Sequence, residues 1–277
     1  MRWVAFAIVF FALDSHAQLV VDDYGNRIRL PAPAARIVSL APHLTELAYA
    51  AGAGGRLVGA VDYSDFPPAA RALPRVGSDA QINVEAVLGL RPDLVVAWPN
   101  AGSRRAIDRL AELGLPVFRS EPRELEDIAT TLERLGVLAG TPREAQRAAR
   151  AFRARKAELE KRYAGRSTVR VFYQVWDRPL QTVNGDHVIS KVIRLCGGEN
   201  VFAALPVIAP EIDAEGLLRA NPEVVISSNP GAQRPPGLSR SRFHVIPAEL
   251  IQRHTPRLLD GAEQVCQALE QARAARS

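Results

Sequence analysis

The chain carries none of the common catalytic signatures. It has no Gly-x-Ser-x-Gly elbow, no glycine-rich phosphate loop ahead of Lys-Ser/Thr and no His-Glu-x-x-His, which removes the usual hydrolase, nucleotide and metalloprotease arrangements. Gly52-Ala53-Gly54-Gly55 lacks the spacing and the preceding strand of a dinucleotide fingerprint. Cysteine is scarce. Cys196 and Cys266 have no histidine at metal-ligand spacing, so zinc is disfavoured, and in an oxidising compartment an even pair points to a disulfide. The five histidines (His16, His43, His187, His244, His254) are scattered, which leaves open a metal site in which three of them meet in the fold. The formal charge of +5 is mild. Few aromatics accompany the arginine-rich stretches 143–170 and 234–257, and no nucleic-acid motif is present, so these stretches read as solvated faces.

What is present starts with an export address. Arg2 precedes a short apolar stretch, Trp3 to Leu13, and Ser15-His16-Ala17 places small residues ahead of Gln18. This is the layout of a cleavable signal peptide over residues 1–17, and the stretch is too short to span a bilayer. No later segment reaches the apolar length of a transmembrane helix. A content of 47% hydrophobic and 23% charged residues fits a folded globular protein.

One segment occurs twice. Residues 82–98 (INVEAVLGLRPDLVVAW) and 212–228 (IDAEGLLRANPEVVISS) match at an offset of 130 positions. In each copy a small polar residue (Asn83, Asp213) stands two before a glutamate (Glu85, Glu215). The first suits an N-cap and the second the positive end of the helix dipole. Each then runs through Pro92 or Pro222 and an acid, Asp93 or Glu223, into a β-branched stretch expected to be a buried parallel strand. Two similar α/β lobes facing each other would enclose a cleft.

The remaining pattern fits that plan. Residues 18–35 read as an exposed leader strand and turn, and residues 36–140 as an N-terminal lobe of alternating strands and helices. Its first strand is expected to end at Pro42, with a helix opening at Thr45-Glu46-Leu47. Residues 141–164 contain almost no helix breaker, with Thr141 as N-cap, Pro142 at N1 and Glu144 at N3. They are expected to form a stiff helical connector to a C-terminal lobe, 165–277. The expected fold is therefore α/β: two Rossmann-like lobes with central parallel sheets, joined by one long α-helix. Ligands of parallel sheets gather outside the carboxyl ends of the strands. Tyr63, Phe66, Trp98, Asn100, Trp176, Asp177 and Arg178 all fall at such ends, a set suited to a large, partly apolar ligand with polar edges.

Four stretches carry a specific resemblance: Arg36-Ile-Val-Ser-Leu-Ala-Pro-His-Leu-Thr-Glu-Leu47, Asp62-Tyr-Ser-Asp-Phe-Pro-Pro68, Leu90-Arg-Pro-Asp-Leu-Val-Val-Ala-Trp98 and Cys196-Gly-Gly-Glu-Asn-Val-Phe202. In order, and over roughly residues 36–272, the chain resembles the periplasmic cobalamin receptors of ATP-driven vitamin importers, within the substrate-binding proteins whose lobes are joined by one long helix. The resemblance implies a non-enzymatic periplasmic receptor with no cofactor, monomeric, carrying cobalamin or a related corrinoid to an ABC importer: a permease dimer and its ATPase. It implies ligand contacts at Tyr63 and at Glu249-Leu250-Ile251-Gln252-Arg253, with Trp98 and Trp176 adding aromatic surface. It further implies a Cys196–Cys266 disulfide, and docking of Glu85 and Glu215, one per lobe, onto permease arginines. Tryptophans expected near Asp79 and Ala209 are missing, and aromatics of the second contact segment are replaced by Leu250 and Ile251. These departures keep a haem or ferric-siderophore receptor as the alternative, with an exported α/β hydrolase as a reading from another class. His43, after the first strand, is a candidate axial contact to a metal centre.

Overall fold

The computed structural model describes residues 18–276, so the signal peptide expected at 1–17 lies outside the described residues. The chain opens with a hairpin, β1 (Gln18–Val21) and β2 (Arg27–Leu30). The N-terminal lobe continues with β3 (Ile37–Ser39), α1 (Pro42–Ala50), β4 (Leu57–Ala60), α2 (Val84–Gly89), β5 (Leu94–Ala97), α3 (Arg104–Glu112), β6 (Val117–Arg119) and α4 (Leu125–Ala139). The connector α5 (Pro142–Tyr163) follows. The C-terminal lobe holds β7 (Val169–Gln174), the short pair β8 (Trp176–Asp177) and β9 (Leu180–Gln181), α6 (Val188–Leu195), β10 (Gly198–Asn200), α7 (Ala214–Ala220), β11 (Val224–Ser227), β12 (Arg242–Val245), α8 (Ala248–Ile251) and α9 (Leu258–Ala274).

The two central sheets share one topology. Strands lie in the order β4-β3-β5-β6 in the first lobe and β10-β7-β11-β12 in the second, all parallel. With β8 and β9 set aside, both orders are second, first, third, fourth strand of the lobe. The sequence repeat occupies the same place in each: α2 leads into β5 and α7 into β11. Asn83 and Asp213 each accept the backbone N–H three residues on, from Ala86 and Gly216. Arg91 and Asn221 both adopt left-handed backbone before the proline, with φ of 47° and 43°. Asp93 then accepts the backbone N–H of Arg36 at 2.9 Å, and Glu223 that of Arg170 at 2.9 Å, so each acid anchors the start of its lobe's first strand.

Each sheet is covered on both faces, as parallel sheets require. One face of each lobe belongs to a single continuous apolar core, which runs from Leu44, Leu132 and Leu135 of the first lobe to Val192, Val265 and Leu269 of the second. The bridge is α5. Ala145, Ala149, Phe152, Leu159 and Tyr163 form its one buried stripe, and the opposite side faces solvent. Arg153 pairs with Glu126 and Glu133 of α4, and Arg155 with Asp260 and Glu263 of α9, so the strut is also tied by charge to both lobes.

Several local expectations are corrected. Helix α1 begins at Pro42, three residues before Thr45: proline suits the first helical position, and Ala41 is extended in front of it. Thr141 does not cap α5, because its hydroxyl donates to the Ala51 carbonyl at 2.7 Å. Gly140, left-handed with φ of 67°, makes the turn from α4 to α5, and a Cβ there would meet Pro33 at 2.8 Å. The leader hairpin is docked and only half exposed. Val20, Ile28 and Leu30 join the core, and Asp23 holds the Glu121 backbone N–H and the Arg134 guanidinium. Strand β10 and helix α8 were not expected. β10 is three residues long and receives its ladder only from β7, a tertiary partner.

The disulfide joins Cys196 at the end of α6 to Cys266 in α9, 70 positions apart. By chain entropy, closing such a loop stabilises the fold by about 4 kcal/mol. The double substitution Cys196→Ala and Cys266→Ala is expected to lower the unfolding free energy by roughly 2–4 kcal/mol in urea titration, with no change in far-ultraviolet circular dichroism at neutral pH.

Candidate functional site

The carboxyl ends of both sheets face each other, and the loops leaving them form a cleft between the lobes. Two segments make its principal recess, of about 460 Å³: Asp65, Phe66 and Arg71 from the first lobe, and Ala248, Glu249, Gln252, Arg253 and Arg257 from the second. A larger hollow, of about 620 Å³, opens beside α5. Lys156 and Lys191 there are already paired, with Glu160 and Glu124, and it lies away from the strand ends.

The loop after β4 is built rigidly. Below it, the Thr45 hydroxyl lies 2.9 Å from the Ser39 hydroxyl and 3.1 Å from that of Ser64, all three buried. From the side, Arg75 donates to the carbonyls of Val61 and Ser64 at 3.2 and 3.0 Å. Tyr63 at the tip has φ of 61°, the left-handed region that a tyrosine rarely adopts, and 77% of its surface is exposed. A strained, exposed aromatic on an over-determined loop is the kind of feature that binding sites retain.

The opposite wall reaches across the cleft. Arg253 donates to Asp65 Oδ1 at 2.7 Å and to the Tyr63 carbonyl at 3.0 Å. Burial alone would raise the Asp65 carboxyl, but the hydrogen bond and charge of Arg253 outweigh it and hold the group below its usual range. Gln252 donates to the Ser228 hydroxyl at 2.6 Å. Behind them, Arg257 grips Glu46 of α1 with two bonds of 2.8 and 3.0 Å and lies over the Phe66 ring at 3.8 Å. Glu46 is only 3% exposed. Of the three guanidiniums around the recess, Arg253 is thus paired with Asp65 and Arg257 with Glu46, while Arg71 donates to the Asp65 backbone carbonyl.

The residues expected from sequence fall into distinct places. Tyr63, Glu249, Gln252 and Arg253 line or edge the recess. Leu250 is half-buried, while Ile251 has no exposed surface and packs into the core, so it presents nothing to a ligand. Trp176 stands 52% exposed on the β8–β9 pair. Trp98 is half-buried, with its ring 5.7 Å from that of His43. Asn100 belongs to a turn, accepting the N–H groups of Gly102 and Ser103. Glu85 and Glu215 sit on exposed helix starts at corresponding positions of the two lobes. Glu85 makes no ion pair among the described residues, whereas Glu215 pairs with Arg219 of its own helix. Three histidines do converge: His43 of the first lobe and His254 and His187 of the second lie in a row. They meet as rings, and among the described residues no group of three or more His, Cys, Asp or Glu is arranged to hold a metal ion.

The Glu46–Arg257 pair was not legible, although both residues lie in stretches singled out by resemblance or position. Its members are 211 positions apart, and only the fold aligns them. Removing one partner of a buried pair strands the other charge. Arg257→Ala is expected to destabilise the protein by about 3–5 kcal/mol in urea titration, and the apolar pair Glu46→Leu with Arg257→Met to recover most of that loss.

Comparison with known proteins identifies the family. The family model described as periplasmic binding protein matches residues 37–248. A vitamin B12-binding protein of Vibrio cholerae serotype O1 is 38% identical over 246 residues, covering 85% of this chain and 89% of the relative. Its counterpart from Yersinia pestis is 40% identical over 250 residues, covering 87% and 88%. The crystal structure of the periplasmic vitamin B12 binding protein BtuF of Vibrio cholerae superposes with a TM-score of 0.81 at 38% identity, covering 87% of this chain and 98% of that one. The periplasmic heme-binding protein RhuT from Roseiflexus shares the fold, at 21% identity and a TM-score of 0.74 over 86% and 98% of the two chains. With its two matched lobes and α-helical strut, the chain belongs to the periplasmic binding protein family.

Proposed function

We propose that this protein is a periplasmic receptor that captures cobalamin or a related corrinoid in the recess between its lobes and delivers it to an ABC importer. The observation that carries this reading is the recess itself: a left-handed, exposed Tyr63 on one rim, the Glu249–Arg253 segment on the other, and balanced charge between. A corrin ring is edged by neutral amide side chains, each both donor and acceptor. Paired guanidiniums and carboxylates can serve such amides from either side at little cost in buried charge. Haem presents two propionates to its receptor, and a pocket for it gains from cations without carboxylate partners; here Asp65 and Glu46 already occupy two of the three arginines. The vitamin-binding relatives, at 38–40% identity, support the same choice.

The role is binding, without turnover. Tyr63, Glu249, Gln252 and Arg253 would contact the ligand at the centre, with Trp98 and Trp176 at the flanks. A monomer exported behind the 1–17 signal peptide would suffice. The expected titration is saturable binding of cyanocobalamin by calorimetry at micromolar protein, weaker binding of haemin, and loss of at least tenfold in affinity on Arg253→Ala, which removes a charged hydrogen-bonding group worth about 1.5–3 kcal/mol. Absence of heat with cyanocobalamin at tens of micromolar overturns the assignment.

Glu85 and Glu215 would dock onto arginines of the permease dimer, one per lobe. A pseudo-twofold receptor offers a twofold partner the same carboxylate twice, and arginine–carboxylate forks add geometric selectivity. The Arg219 partner of Glu215 is an exposed pair of the kind worth only about 0.3–0.5 kcal/mol, readily exchanged for a permease arginine. Glu85→Ala with Glu215→Ala is expected to leave corrinoid affinity within twofold and to weaken pull-down by the reconstituted transporter; unchanged pull-down removes the docking role.

A further inference from the structure

The two lobes correspond residue by residue along their repeated segment, and at one place the correspondence breaks. Ile226 of β11 stands where Val96 stands in β5, at the offset of 130. Val96 pairs with Ser39 and Ile226 with Tyr173, so the next residues, Leu40 and Gln174, are counterparts. On the helices that cover this face, Leu217 of α7 corresponds to Val87 of α2. Leu40 and Val87 are fully buried in one apolar cluster. At the matching place in the second lobe there is a cavity of about 300 Å³, with Gln174 and Leu217 in its wall.

This cavity shares no lining residue with the recess between the lobes. Side chains alternate along a strand. Tyr173 belongs to the core that continues under α5, whereas Phe172 and, two residues on, Gln174 take the opposite face of β7. The walls are fixed. Leu180 accepts the Ile212 backbone N–H at 2.9 Å, which ties the β8–β9 pair to the approach of α7. The proline-rich loop before β12 closes the other side. Buried Leu238 anchors it, the Ser241 hydroxyl donates to the Pro222 carbonyl at 2.6 Å, and Arg234 donates to the Ser239 carbonyl at 3.1 Å.

The inner end of the cavity asks for a hydrogen-bond donor. Gln174 is 1% exposed and its Oε1 has no partner, and a buried acceptor left unmatched costs stability. The more buried walls beside it, Leu180, Leu217 and Pro235, are apolar. A trapped water needs about two to four polar partners, and these walls supply the carboxamide alone. The rim is charged. Asp177, Arg178 and Arg234 are exposed there, and none of the three has an ion-pair partner among the described residues. Two guanidiniums against one carboxylate favour an anion.

We propose that this cavity is a second binding site, for a small aromatic carboxylate that carries a phenolic O–H or a ring N–H. The donor reaches Gln174 Oε1, the ring lies between Leu217 and the prolines, and the carboxylate stays at Arg178 and Arg234. A volume of about 300 Å³ is at the lower end of ligand pockets, which suits one ring and not a macrocycle. The site is separate from the recess, so it goes beyond the receptor reading and does not rest on it.

The test uses the full mature chain, with 3-(4-hydroxyphenyl)propionate as the probe and amide NMR as the readout. Saturable shifts of the Gln174, Leu180 and Leu217 signals are expected by about 10 mM, the range open to a ligand of this size. Cyanocobalamin should not displace the probe. 3-Phenylpropionate lacks the donor and 4-ethylphenol lacks the carboxylate; each should bind about fivefold more weakly or worse. Gln174→Leu, which installs the residue of the first lobe, should abolish probe binding. Should that variant fold poorly, Arg234→Ala at the exposed rim should weaken the probe by about the same fivefold. Equal binding of 3-phenylpropionate, unchanged binding to Gln174→Leu or Arg234→Ala, displacement by cyanocobalamin, or no saturable shift each overturns the site.

Discussion

The structure depends on one constraint: the apolar stripe of α5 must be buried, and neither lobe can bury it alone. Ala145 packs against Gly136 of α4, and α5 also packs against α1 of the first lobe and α6 and α9 of the second. A helix with a polar back and a shared front cannot slide or bend without uncovering part of that stripe, since packed interiors yield in steps and not continuously. The cleft on the strand-end side thus has its width set largely by a packing condition elsewhere. The salt bridges from Arg153 and Arg155 lie outside this core and fix the angle more than the energy.

Within that frame the cleft is crossed by polar contacts of graded burial. Arg253 to Asp65 is outermost and accessible to a ligand. Arg257 to Glu46 lies deeper and is shielded, with Phe66 covering the guanidinium. The histidine row joins a buried His43 to half-buried His254 and His187. A ligand entering the recess meets exchangeable partners first and a fixed pair behind them, so recognition can be adjustable at the rim while the lobes stay in register underneath. Tyr63 suits such a rim: its backbone is held by its own loop and by Arg253, which leaves the ring free to meet a guest.

Much of this was readable beforehand, for identifiable reasons. The repeat at 82–98 and 212–228 is local: a cap, a first-turn acid and a buried strand are each written in adjacent residues, and all reappear in the structure. The connector was readable because an uninterrupted run from Pro142 to Tyr163 leaves few alternatives to helix. What escaped was long-range. Strand β10 exists because β7 offers it a ladder, Thr141 turned to the Ala51 carbonyl because α1 ends beside it, and Ile251 faces the core because α8 is a single turn seated on α9. Glu46 and Arg257, and the three histidines, gain meaning only as neighbours. Sequence separation hides such pairs even when each member stands in a conspicuous stretch.

The matching of the two halves has a kinetic side. A guest with no twofold axis of its own can be told apart by the unequal walls, Tyr63 and its loop on one side and the α8 segment on the other. The helix starts that carry Glu85 and Glu215 instead occupy corresponding places in the two lobes. A twofold partner of the kind proposed above would meet a similar arrangement in either of two poses half a turn apart. Orientational search, ordinarily the step that slows association below the diffusion limit, would then be halved before any contact had been improved.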